Sequence, residues 1–366
     1  MKIAHLTSVH PRGDTRIFVK ECCSLVSSGF DVTLVVADSR GSDLRQGVKI
    51  VDVGKPRGRW QRVVGTTRSI LDCACKLDAD LFHLHDPELI PVGLQLKRLG
   101  RKVVFDSHED VPKQLLAKPY LGPLSSRAVS LVFARFERYA CAQFDGIIAA
   151  TPFIRDKFLS INPTTIDVNN FPVSSEIGPC SHWESKRDEV CYIGAIGVIR
   201  GIREIVRAFE HVREPVRLNL GGRFSEIEVE QEVKAYPQWA RVNELGYLDR
   251  EGVCKTLARS MAGLVTLLPT INYLDALPVK MFEYMAAGIP VISSNFPLWR
   301  DIVETSDCGL CVNPLDPREI AAAIDHLTGD PELARRLGQN GRKAVLDRYN
   351  WAIEEKKLLR FYESIL

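Results

Sequence analysis

Apolar positions along this chain fall into short continuous runs, separated by longer stretches in which they recur at helical spacing. Lys2–Thr7 (KIAHLT) is the first run and predicts a strand; Ser8–Thr15 (SVHPRGDT), rich in proline, glycine and polar residues, predicts a loop. Arg16–Ser28 places Ile17, Val19, Leu25 and Val26 as the apolar positions of a helix, Gly29 stops it, and Asp31–Asp38 (DVTLVVAD) is a second strand. A strand–helix–strand unit of this kind begins a doubly wound parallel sheet. Further strands are predicted at Ala79–His85, Lys102–Asp106 and Gly146–Ala150, a long helix at Ser125–Phe144, and another helix behind Thr151-Pro152. The aromatic and basic residues of the long helix, Phe133, Phe136, Tyr139, Arg135 and Arg138, read as packing and surface. Ser174–Asp188 is a polar linker without regular pattern. The alternation then restarts: strand Glu189–Ile193, helix Ile202–Val212, strand Ala262–Leu268, helix from Val279 to Ala287 with Gly288 as its stop, and a strand at Pro290–Ser293. Helices at 317–328, 331–348 and 351–366 close the chain. The pattern predicts two α/β domains with a break near residues 170–185.

Composition agrees with two ordinary soluble domains: 366 residues, 45% hydrophobic and 26% charged. No apolar run is long enough to span a bilayer and no basic-plus-apolar leader opens the chain, so a cytoplasmic location is expected. The ten cysteines make no disulfide framework, and the close groups Cys22-Cys23, Cys73-x-Cys75 and Cys308-x-x-Cys311 lack the partners of a zinc site. Charge is uneven. Lys and Arg outnumber Asp and Glu by 24 to 18 over residues 1–170 (+6) and fall short by 24 to 28 over the rest (−4). Within the basic half, Lys55–Arg68 sets Lys55, Arg57, Arg59, Arg62 and Arg68 around Trp60, which fits a peripheral contact with anionic lipid as well as a plain solvated face. No nucleic-acid module is present.

The densest candidate chemistry lies at Thr270–Pro290 (TINYLDALPVKMFEYMAAGIP). Asp275 and Glu283 stand eight residues apart, and Ala276-Leu277-Pro278-Val279 leads into Lys280 and a helix. The helix N-terminus offers unpaired N–H groups and partial positive charge to a phosphate. Glu283, a turn inside, can accept hydrogen bonds from a ribose diol, and Asp275 can reach sugar hydroxyls. Upstream, His10, Arg12, Asp14 and Arg16 follow the first strand, where ligands of doubly wound sheets sit, and are candidates to line an acceptor site. His108 ends the strand Lys102–Asp106 in the same way; His83 and His85 share one strand face and are weaker candidates. No G-x-G-x-x-G follows the first strand, which argues against a dehydrogenase.

The stretch Asp275-x7-Glu283 within LPVKMFEYMAAGIPVISS resembles the Glu-x7-Glu signature of family 4 retaining glycosyltransferases, and in particular a bacterial branch that builds surface polysaccharides. HPR-DTRIF near the N-terminus resembles the same branch. The resemblance covers nearly the whole chain. It implies a GT-B fold, two facing Rossmann-like doubly wound domains with a cleft between them: 1–170 for the acceptor, 171–349 for the nucleotide sugar, and a helix at 350–366 packing back on the first domain. It implies donor contacts from the glycine loop Gly194–Gly201 (GAIGVIRG) through Gly197 and Arg200, a base contact at Tyr247, and diphosphate contacts from Leu277, Val279 and Lys280. Pro278 has no N–H to donate. His108 and Asp275 are implied beside the reacting sugar. The donor is implied to be a nucleoside diphosphate sugar, uridine before guanosine, used without metal or other cofactor. The acceptor is implied to be a glycan or a lipid-linked glycan, which favours peripheral contact with the inner face of the cell membrane. Two departures stand out. The first acid is an aspartate, one methylene short, and Ala195 occupies a place where the family carries an arginine; Arg223 is a candidate substitute. A nucleotide-sugar epimerase and a non-catalytic nucleotide-sugar-binding protein remain open on the same architecture.

Overall fold

The computed structural model describes residues 1–55, 58, 61–116, 122–173, 183–213 and 215–366. Arg57, Arg59 and Trp60 of the basic stretch, and most of the linker 174–188, lie outside the described residues. The chain divides into two units, Met1–Asn170 with Ala352–Leu366, and Phe171–Trp351.

The first unit is built on β1 (Lys2–Leu6), β2 (Asp31–Val36), β3 (Asp43–Arg45), β4 (Val48–Asp52), β5 (Leu81–Leu84), β6 (Lys102–Ser107), β7 (Gly146–Ala149) and β8 (Thr165–Asp167). They lie in the order β3-β4-β2-β1-β5-β6-β7-β8. Every neighbouring pair is parallel except β3 and β4. That pair turns at Gln46 and Gly47, both at positive φ, as a two-residue hairpin requires. The order reverses at β1 and β5, so the loops after β1, β5 and β6 emerge side by side at one end of the sheet. The central strands are buried on both faces because helices cover both; Leu6, Phe82, Leu84, Val103, Phe105 and Ile147 are buried and apolar, while His5, His83 and Asp106 of the same strands are buried and polar.

After β1 the chain departs from the predicted α-helix. Thr15–Cys22 is wound as a π-helix and only Cys23–Ser27 is α. The Asp14 carbonyl accepts from Phe18 at 3.0 Å and also from Val19, five residues on, at 3.1 Å. In this wider turn Arg16, Lys20 and Glu21 are all buried. The long helix runs Pro123–Cys141, opened by proline at its first turn rather than at Ser125. The final helix, Trp351–Ile365, buries Leu358, Phe361 and Tyr362.

The second unit carries β9 (Glu189–Ile193), β10 (Arg217–Gly221), β11 (Val242–Gly246), β12 (Ala262–Val265), β13 (Val291–Ser294) and β14 (Gly309–Val312). Its order is β11-β10-β9-β12-β13-β14, all parallel. Here the reversal falls between β9 and β12. It brings together the glycine loop after β9 and the acid-bearing loop after β12, two segments far apart in sequence. One apolar layer holds Tyr192, Leu218, Leu220 and Ile292; another holds Val265, Met281, Tyr284 and Trp299.

Candidate active site

In the second unit the site is assembled from the ends of β9 and β12. The glycine loop crosses β12 so closely that a Cβ on Gly201, at φ 76°, would lie 2.2 Å from the Thr266 carbonyl oxygen. Glycine is required there on both counts. Gly197 precedes the short 3-10 turn Val198–Arg200. On the other side, the loop before the helix Val279–Ala287 is tied down at two points. Trp299 Nε1 donates to the Ala276 carbonyl at 2.7 Å, and Ser294 Oγ donates to the Leu267 carbonyl at 2.6 Å. Pro278 is the N-cap and provides no side-chain cap. Asp275 and Leu277 sit half-buried in this loop, and Val279 is the first helical residue.

Lys280 reaches back from that helix toward the glycine loop. Its ammonium lies 3.6 Å from the centre of the Tyr192 ring, and a Cβ on Gly194 would come within 3.1 Å of it. The residue is partly exposed along its stem, but Nζ is buried and has no hydrogen-bond partner among the described residues. Burial, and next the positive charge of Arg200, push its pKa down to about 7, against a weaker opposing pull from Glu283. Arg200 also lies beside the Tyr192 hydroxyl. The structure therefore gathers Arg200 and Lys280 around one aromatic ring and, among the described residues, gives the buried ammonium no ion pair. Glu283, one turn further on, is paired by Arg250 at 3.1 Å. Tyr247 is exposed after β11, and the Arg223 guanidinium stacks 5.1 Å from its ring centre.

In the first unit, His108 is the half-buried outer end of a chain of polar side chains that runs into the interior. Its Nε2 lies 2.9 Å from Asp106, whose carboxylate receives both Nε and Nη2 of Arg16 at 2.9 and 2.8 Å. His85 Nδ1 stands 3.4 Å from the same carboxylate. Behind it, His85 Nε2 meets His5 Nδ1 at 2.8 Å, and Tyr362 of the final helix bonds His83 Nδ1 at 2.6 Å. Burial opposes the charge on Asp106, but Arg16 and His108 hold its pKa well below the usual carboxylate range. Burial drives the pKa of His5 and His83 down, and that of His85 to about 4, so these rings are neutral at pH 7. Glu21 goes the other way: burial and the nearby Asp106 raise it well above the carboxylate range. Ligand-capable atoms of His5, Glu21, His83 and His85 lie within 4.8 Å of one another, as do those of His85, Asp106 and His108. In the second group both Asp106 oxygens are already bonded to Arg16.

The loop after β1 needs a correction. Arg12 and Arg16 do not line an open acceptor site. Arg12 grips Asp38 through Nε and Nη2 at 2.7 and 2.6 Å and donates to the Gly41 carbonyl; Arg16 is spent on Asp106, Glu21 and the Val168 carbonyl. Both guanidinium groups are buried. Asp14 is the helix cap, accepting from the Arg16 and Ile17 amides. Burial would raise its pKa; the His10 and amide hydrogen bonds override it and bring it to about 2. His10 remains half-buried between Asp14 at 3.3 Å and Asp86 at 3.4 Å, with its ring 5.1 Å from that of His108. Burial lowers its pKa, but these carboxylates outweigh burial and the net shift is upward. Arg250, Trp299, Tyr192 and Tyr362 also belong to these sites and were not singled out from sequence. None of them sits in a local motif that marks it.

Two doubly wound units, one with a cationic loop pair at its switch point, define a glycosyltransferase of the GT-B fold. The family described as "Glycosyl transferases group 1" matches residues 177–344, and the "Glycosyl transferase 4-like domain" matches residues 15–168. The two matches together run over most of the chain, which is a glycosyltransferase of this type. An uncharacterized glycosyltransferase of Methanocaldococcus jannaschii is 24% identical over 309 residues, covering 78% of this chain and 75% of that one. Among solved structures, the sucrose-phosphate synthase of Thermosynechococcus elongatus superposes with a TM-score of 0.78 at 19% identity, over 100% of this chain and 98% of that one. HepE of Anabaena, solved in complex with UDP-glucose, gives 0.75 at 14% identity over the whole of both chains.

Proposed function

We propose that this enzyme moves a sugar, with retention of anomeric configuration, from a nucleoside diphosphate sugar to a glycan or lipid-linked acceptor in polysaccharide assembly. Uridine is the preferred base, in keeping with the UDP-glucose bound by the related HepE fold. The observation that carries the reading is the buried, unpaired ammonium of Lys280 beside Arg200. Two clustered cations in a partly desolvated site are unfavourable until an anion enters. A leaving diphosphate is such an anion, and its growing charge would be met by Arg200, Lys280 and the amides of Leu277 and Val279. This reading gives that task to side chains and amides rather than to a metal. Glu283, oriented by Arg250, takes the ribose diol; Asp275 takes the sugar hydroxyls; Tyr247 lies toward the base. His108, whose Nε2 meets Asp106, is the first unit's candidate to bond a sugar hydroxyl. His10 is the acceptor-side residue retained from the loop after β1.

No helix among the described residues is long and apolar enough to cross a membrane. A cytoplasmic enzyme working at the inner face of the cell membrane fits a lipid-linked acceptor. Thermal shift of the purified protein against UDP, GDP, ADP and NAD tests the donor class. A ligand at 100 times its Kd adds roughly 2.7 kcal/mol, a shift of a few degrees. UDP should shift the wild type and leave Glu283→Ala unmoved; a shift by NAD alone would overturn the reading.

A further inference from the structure

The helix Pro123–Cys141 has an unusual outer face. Leu124, Val132 and Tyr139 are 82%, 68% and 60% exposed, and Leu131 and Val129 are 53% and 43% exposed. Its exposed charges are Arg127, Arg135 and Arg138. The helix's one acid, Glu137, points inward and is paired with Lys157 at 2.6 Å. A solvated helix normally shows mixed charge on its outer side, whereas this face shows large apolar side chains interleaved with arginine alone. Behind it lies a cavity of about 860 Å³ lined by Val129, Phe133 and Phe136 of the helix and by Val92, Val111 and Leu115.

We propose that this face docks on an anionic lipid bilayer, with the leucine, valine and tyrosine side chains in the headgroup–acyl boundary and the three arginines on lipid phosphates. The pattern is that of an in-plane interfacial helix. A second copy of the chain is a poorer occupant, because a self-complementary contact would set the arginines against one another with no acid to answer them. The cavity is lined mainly by apolar side chains, with Arg68, Asp72, Glu88 and Gln95 also in its wall, and is of a size that suits a lipid chain. The proposal deepens the lipid-linked acceptor reading and rests on it for its purpose. Lipid binding is measured without donor or acceptor, so either can fail alone.

The experiment is co-sedimentation of the full chain with phosphatidylcholine vesicles, with and without phosphatidylglycerol, alongside gel filtration. The wild type should pellet with the anionic vesicles and be released by salt. Leu131→Glu/Val132→Glu should lower partitioning by roughly tenfold or more, and Arg135→Glu/Arg138→Glu should abolish the preference for phosphatidylglycerol. These side chains are exposed, and circular dichroism checks that both variants fold. Wild-type protein that stays in the supernatant overturns the proposal. So does equal pelleting of wild type and both variants, or a dimer in gel filtration that Leu131→Glu/Val132→Glu dissociates.

Discussion

The proposed donor site turns on Lys280. In the free protein its pKa is about 7, set by burial and by Arg200. An incoming diphosphate supplies the missing opposite charge and raises that pKa, so binding takes up a proton above pH 7. Affinity for UDP should therefore be flat below pH 7 and weaken above it, by up to about tenfold per pH unit. Lys280→Met should remove that slope and, at pH 6.5 where the wild type is protonated, cost roughly 1.5–3 kcal/mol of UDP binding by calorimetry. Arg250→Ala should cost less, about 0.2–1 kcal/mol, because it only orients Glu283 at a partly exposed pair. Lys280, Arg200 and Glu283 were proposed from sequence because each sits in a local loop–helix pattern. Arg12 and Arg16 were misread because their partners, Asp38 and Asp106, lie 26 and 90 residues away. A polar loop does not disclose which of its charges will be buried.

At the scale of elements, the pattern located the parallel strands well, since continuous apolar runs report burial on both faces. It missed the edge pair β3 and β4: the three residues of β3 are all exposed and show no alternation, and β4 is a short run interrupted by Lys49. It also missed the π-winding of Thr15–Cys22, which tertiary ion pairs stabilise rather than local propensity. That segment should be fragile in a specific way. Arg16→Leu leaves Asp106 ionised or protonated in a dry interior, and should destabilise the first unit by about 3–5 kcal/mol in denaturant unfolding. In the second unit, Trp299→Phe removes the bond that holds the Ala276 carbonyl. We expect about 1 kcal/mol of stability lost, with a larger fall in kcat/KM as the loop amides of Leu277 and Val279 lose their aim.

The molecule as a whole has separate cores in its two units, and the final helix belongs to the first. Leu358, Phe361 and Tyr362 are buried there, and Tyr362 bonds His83. A chain ending at Trp351 should show a first unit that melts well below the second in calorimetry, while the full chain holds them closer. The two-unit architecture could be read from the restart of strand–helix alternation after the linker. What joins His108 to the final helix through Asp106, His85, His5 and Tyr362 could not, because that chain draws on three strands and the last helix.

The most direct test is isothermal titration of UDP and of uridine into wild type and Lys280→Met at pH 6.5. A diphosphate site at Arg200 and Lys280 predicts that UDP binds the wild type far more tightly than uridine does, and that Lys280→Met removes most of that difference while leaving uridine affinity unchanged. Equal binding of UDP by the two proteins would contradict the placement of the donor diphosphate, and absence of UDP binding to the wild type would contradict the donor class itself.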